Sequence, residues 1–226
     1  MAALLIFAAS CKKEKNEQID EPTGEECTFS AKTETHNGGS KTYLDGLAVK
    51  WENGDRIKVI NGSTPSEAEV FTLSEYLDDG STAKFKADVE ADFFKPDYIG
   101  LYPSSLEVNG GACSFSLSST QTYAAGSFAA GCNPMTAKSN NKSFFFRNAC
   151  GLLELNLYGA GAPVKIISIT VRSKKSTDKL WGSGNIDMET GVFTVTSTES
   201  NQDVITLNCN NAPVGTKKGE MCVFLI

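Results

Sequence analysis

Lys84-Phe85-Lys86-Ala87-Asp88-Val89 places an apolar side chain at every second position and a charge at each position between. Successive side chains of a β-strand leave on opposite faces, so this stretch reads as a strand with one dry face and one wet face. The same period of two returns elsewhere. Cys113, Phe115 and Leu117 alternate with Ser114, Ser116 and Ser118, and Leu153, Leu155 and Leu157 with Glu154, Asn156 and Tyr158. Ile167, Ile169 and Val171 alternate with Ser168, Thr170 and Arg172, which predicts that all three apolar residues face a core. Helical periodicity does not recur. Asn53-Gly54-Asp55, Asn61-Gly62-Ser63, Asp78-Asp79-Gly80, Asn109-Gly110-Gly111 and Gly159-Ala160-Gly161 supply turn residues between such runs. Short half-buried strands separated by turns predict an all-β protein built of antiparallel sandwiches.

The chain has 226 residues, a length that suits one large domain or two small β domains. Lys and Arg number 21 against 27 Asp and Glu, for a net charge of −6. An acidic chain lacks the basic footprint that releases counterions from a phosphate backbone, so nucleic acid is excluded as a partner. No apolar run approaches the ~20 residues that span a bilayer as a helix. The single histidine, His36, limits both imidazole catalysis and imidazole metal binding.

The first ten residues, Met1-Ala-Ala-Leu-Leu-Ile-Phe-Ala-Ala-Ser10, are apolar and end in small side chains, and Cys11-Lys-Lys-Glu-Lys15 follows at once. An apolar core closed by small residues is the signature of an export signal. A cysteine directly behind it resembles the lipobox of bacterial lipoproteins, in which the thiol is acylated. Cys11 is therefore the expected lipid-attachment residue, residues 1–10 the signal segment and 11–26 a polar tether. Each buried lipid methylene contributes about 0.8 kcal/mol to anchoring. The lack of a basic segment before Ala2 predicts an initiation site upstream of Met1. Six cysteines then remain, at 27, 113, 132, 150, 209 and 222. An exported chain can pair them, whereas several stand at apolar-alternating positions that suit buried thiols, so both states stay open. No CxxC spacing supports a zinc site.

The polar run Lys138-Ser-Asn-Asn-Lys-Ser143 is the best internal boundary, dividing a β-sandwich of residues 27–140 from a second one of 141–226. The run Met221-Cys-Val-Phe-Leu-Ile226 reads as a strand with two dry faces. It predicts a reading frame that continues, and hence an incomplete second domain; the other reading is a strand donated to a neighbouring subunit.

Taken in order, Thr33-Glu-Thr35, Val49-Lys-Trp51-Glu-Asn-Gly54-Asp55-Arg-Ile57, Tyr98-Ile-Gly-Leu-Tyr102-Pro103, Gln121-Thr-Tyr123, Gly126-Ser-Phe128, Pro134-Met135-Thr-Ala137, Phe146-Arg-Asn148-Ala-Cys150-Gly-Leu152-Leu153-Glu-Leu155, Val164-Lys-Ile166 and Leu180-Trp-Gly182 carry a resemblance. Over about 150 residues the chain resembles the fimbrillin-like lipoproteins of Gram-negative gut and oral anaerobes. The resemblance implies two transthyretin-like antiparallel β-sandwich domains and display at the outer membrane as a lipoprotein. It implies a structural or adhesive place in a pilus, as subunit, anchor or tip. Partners would be other pilus subunits joined by β-strand addition, in which backbone hydrogen bonds supply affinity and alternate side chains fill pockets.

Enzymatic readings find little purchase. His36 lies in Thr35-His36-Asn37-Gly38-Gly39, a turn, and no GxSxG elbow accompanies it. Asp88, Glu90 and Asp92 share a strand face, the usual arrangement of a solvated or edge-protecting row. No GxGxxG or Walker A loop is present. No catalytic residue, metal or cofactor is therefore expected. Trp51, Trp181, Tyr98, Tyr102 and Tyr123 are expected in cores, the alternative being a glycan-stacking platform. The alternative function is a monomeric surface lipoprotein that binds glycan or protein through exposed loops.

Overall fold

The computed structural model describes residues 24–33, 43–45, 48–62, 67–77, 80–90, 93, 96–109, 112–217 and 221–225. Their regular structure is all strand: β1 (Glu25–Thr33), β2 (Tyr43–Asp45), β3 (Ala48–Lys50), β4 (Arg56–Asn61), β5 (Ala68–Leu77), β6 (Thr82–Val89), β7 (Tyr98–Tyr102), β8 (Glu107–Asn109), β9 (Ala112–Leu117), β10 (Thr120–Thr122), β11 (Met135–Ser139), β12 (Ser143–Asn148), β13 (Leu153–Leu157), β14 (Val164–Arg172), β15 (Gly182–Asp187), β16 (Phe193–Val195), β17 (Val204–Val214) and β18 (Met221–Leu225). No α-helix occurs among the described residues, so none there crosses a membrane as a helix.

Seven strands close into a barrel in the order β1-β12-β11-β7-β4-β5-β6, β6 returning to β1. The expected architecture was a pair of open antiparallel sandwiches, so closure is a departure. It is made by β1, which lies antiparallel to β6 and parallel to β12. A second parallel pair joins β10 to β17. The alternation read in 84–89 holds inside the barrel: Phe85 and Val89 are buried while Lys86 and Asp88 are exposed.

Aromatic rings fill the interior. Phe29 stacks on Phe144 at 5.0 Å and meets Phe71 and Tyr98 edge-on at 5.1 Å. Trp51, behind the Asn53-Gly54 turn, meets Phe85, Tyr102 and Phe146 edge-on, and its indole N–H donates to the Ala31 carbonyl at 3.0 Å. Such ring pairs add about 0.5–1.5 kcal/mol each beyond the area they bury. Gly54 has a φ of 92°, a left-handed value that favours glycine at this turn.

The barrel's outer face at β4 and β7 is covered by a four-stranded sheet, β16-β15-β9-β8. Ile60, Ile99 and Leu101 from the barrel pack there with Cys113, Ile186 and Met188. Residues 138–143, read as a domain boundary, form the turn of the β11–β12 hairpin, and both of its strands are barrel staves. The polar side chains serve the turn: the Ser143 and Asn141 amides donate to Asn141 Oδ1 and Ser139 Oγ. Strands from both sides of residue 140 also share the covering sheet, where β9 pairs with β15.

A third cluster holds the remaining strands. β14 pairs with β17 in the sheet β10-β17-β14, and β13 pairs with β18, so 221–225 finds a partner within the chain. Leu207, Cys209 and Val214 of β17 are buried there, with Ile166, Ile169 and Val171 of β14 half-covered against them. The simple alternation expected for β14 breaks at a register shift between Ile166 and Ser168. This bulge turns Ile167 outward, where it is 68% exposed.

Candidate functional site

Among the described residues, two cavities and one polar pair bear on function. The larger cavity, about 630 Å³, opens where the covering sheet meets the third cluster. Leu117, Phe193 and Val195 form one wall, Val171, Leu180 and Ile205 the other, and 150–153 cross between them. Its chemistry is apolar, with the Lys179 ammonium at the rim donating to the Ser197 carbonyl at 2.6 Å. Leu153 in its wall is exposed, and elsewhere the third cluster leaves Tyr158, Val164 and Ile167 exposed as well.

The second cavity, about 440 Å³, lies at one end of the barrel between Glu52, Tyr102 and Pro103 on one side and 124–133 on the other. Beside it Tyr102 donates its hydroxyl to Asp55 Oδ1 at 2.8 Å, and Asp55 Oδ2 accepts the Glu52 amide at 2.7 Å. Burial pushes the Asp55 carboxyl up, against the two hydrogen bonds that pull it down. Burial and the adjoining carboxylate push the Tyr102 hydroxyl far up, so it stays a proton donor. Asp55 was read only as a turn residue and Tyr102 only as an aromatic. Nothing local ties together two residues 47 positions apart.

Burial governs the five described thiols. Burial raises Cys27, Cys132 and Cys209, and carries Cys113 to about 11 and Cys150 to about 12, so each stays protonated near neutrality. No group of three potential metal ligands occurs among the described residues. Asp88 and Glu90 are exposed; Asp92, His36 and the expected lipid-bearing Cys11 lie outside the described residues.

The five aromatics weighed as a stacking platform are not brought together. Trp51, Tyr98 and Tyr102 belong to the barrel core, whereas Tyr123 and Trp181 pack in the third cluster. Trp181 donates its indole N–H to the Asn201 carbonyl at 3.1 Å. The chain matches no family model, and neither a curated protein nor a solved structure was found to be similar to it.

Proposed function

We propose that the protein is a fimbrillin-like surface lipoprotein that joins other subunits by β-strand addition, as a structural or adhesive component of a pilus. The observation that carries this reading is the under-covered third cluster: Val164 and Ile167 of β14, the end strand in the order β10-β17-β14, and Leu153 at the apolar cavity are all open to water. Apolar side chains on a strand surface are stabilised when an added strand covers them, at about 25 cal/mol per Å² of apolar area removed from water. An incoming strand would also satisfy backbone groups at a sheet edge. In this reading the barrel and its covering sheet stand for the first transthyretin-like sandwich and the third cluster for the second. A flattened seven-stranded barrel differs from a two-sheet sandwich only in whether its corner strands are hydrogen-bonded. Cys11 holds the assembly at the outer membrane through its lipid.

The test is sheared surface material run on a denaturing gel with and without heating. A heat-sensitive ladder of multimers is expected, and Val164→Glu with Ile167→Glu should collapse it to monomer while leaving the monomer's melting midpoint within a few degrees. A monomer band alone in the wild type defeats the proposal. Cys11→Ala should release the chain from membranes and end incorporation of labelled fatty acid; continued acylation would refute the anchor.

A second reading, a monomeric binder of glycan, draws on the cavity beside Tyr102. Glu52 offers a carboxylate and Phe128 an aromatic wall, the pairing that sugars use. Glycan binding that survives monomerisation and is lost with Glu52→Ala would favour it.

A further inference from the structure

The five described cysteines are not equivalent. Cys27 sits in the barrel core, Cys113 between the barrel and its covering sheet, and Cys209 in the third cluster, so each is sealed in a different apolar layer. Cys132 and Cys150 are half-buried and share one place, the open end of the β11–β12 hairpin. Met135 pairs with Asn148, and one step further the Ala149 amide donates to the Pro134 carbonyl at 2.9 Å. The hairpin is thus held closed to within one residue of Cys150 and two of Cys132. A turn, Cys132 N–H to Ala129 carbonyl at 3.2 Å, brings Cys132 back over this end. The Cys132 sulfur is one of the two influences that push the Cys150 thiol up, so the side chains share common ground.

We propose that Cys132 and Cys150 form an intramolecular disulfide when the chain meets a disulfide oxidant, such as a dithiol oxidase or oxidised glutathione. The Cys150 or Cys132 thiolate attacks the oxidant's sulfur and expels one of its thiolates. The second cysteine, as thiolate, then displaces the other half of the oxidant. Two protein thiols lose two protons and two electrons, and the oxidant's disulfide is reduced to two thiols. Because burial holds both thiols protonated, the uncatalysed reaction is slow near neutrality and quickens as pH rises. The same property makes them poor leaving groups, so the finished bond resists reduction. Since Cys150 also lines the larger cavity, the bond fastens one margin of that cavity to the 129–132 turn.

The experiment treats the reduced full chain with excess oxidised glutathione in mildly alkaline buffer, alkylates the remaining thiols, and maps peptides by mass under non-reducing conditions. One linked species joining the Cys132 and Cys150 peptides is expected, with Cys27, Cys113 and Cys209 alkylated after unfolding. Cys132→Ser should leave Cys150 as a glutathione adduct or free. The oxidised wild type should melt about 4–10 °C above the reduced form, as short-loop disulfides do in chains of this size. The double variant, Cys132→Ser with Cys150→Ser, should show no such difference. Quantitative alkylation of both thiols after oxidation, glutathione adducts on both without a link, or a link from either to another cysteine would overturn the proposal. Since the oxidant is added, the result does not depend on where the protein resides.

Discussion

A methyl group added at Gly100 tests the packing inside the barrel. Gly100 lies at the centre of β7, and a Cβ built on it would stand 2.8 Å from Phe146 Cζ and 3.3 Å from Phe144 Cδ1. Contact distances between carbons are about 3.5–4.0 Å, so the Phe146 ring must retreat by most of an ångström. It has nowhere easy to go, since Trp51 abuts it at 5.4 Å and Phe144 at 5.6 Å. Overpacking of this kind costs about 1–3 kcal/mol, offset by the ~0.5–1 kcal/mol that alanine gains over glycine in a strand. Gly100→Ala should therefore lose about 1–2 kcal/mol net. Phe146→Leu deletes the offending atom and by itself costs about 1–2 kcal/mol for lost packing. Together the two should cost less than their sum by about 1–2 kcal/mol. Phe144→Leu is the control, because leucine keeps two Cδ atoms near the Cβ and brings little relief. Urea unfolding followed by tryptophan fluorescence measures these variants, and Gly100→Ala with Phe144→Leu, against the wild type. If Gly100→Ala and Phe146→Leu add to within about 0.5 kcal/mol, the close approach is not what fixes glycine here.

Other consequences are open to the same measurement. Tyr102→Phe removes the hydroxyl that steadies Asp55, at a cost of about 1–3 kcal/mol. The folded value of Asp55 already exceeds its ordinary 3.8, so its ionisation costs stability as pH rises through that window; the variant should push the window higher, and a stability difference unchanged between about pH 4 and 7 would refute this. Asp187 behaves in the opposite sense, its carboxyl held below 3.8 by the Thr190 and Glu189 amides in the β15–β16 turn. Its contribution is present above the ordinary value and fades as pH falls through the lower folded one, so Asp187→Ala and wild type should converge in acid, as read by melts across that range. Gly184→Ala places a Cβ 2.0 Å from the Thr194 carbonyl oxygen, a backbone atom that cannot yield cheaply. It should cost about 2 kcal/mol or more and unprotect the 193–195 amides in hydrogen exchange; retained protection would show that β16 adapts.

The strands were legible where one face meets a core and the other meets water. Residues 84–89 alternate as such a strand must, and Cys113 and Leu117 are buried with Ser114 and Ser118 exposed. The barrel was not legible, because closure depends on which strands pair, and β1 meets β12 across more than a hundred residues. The pattern Leu153-Glu-Leu155 reads the same whether its sheet is covered or not, and here Leu153 is exposed. Ile167 misled because a one-residue bulge reverses the faces of a strand without changing its composition. Of the candidate sites, the separate cysteines were visible one at a time. Their arrangement in space depends on pairings such as the β11–β12 hairpin, whose turn is the polar run read as a domain boundary.

The parallel seam between β1 and β12 also orders events during synthesis. β1 has its antiparallel partner once residue 89 exists, but its other edge stays bare until residue 148 has been made. β9 is completed later still, when β15 delivers residues 182–187. A ribosome adding roughly 5–20 residues each second leaves those edges unprotected for several seconds. An emerging chain of this topology thus makes its long-range contacts late, once residues 143–148 and 182–187 are present.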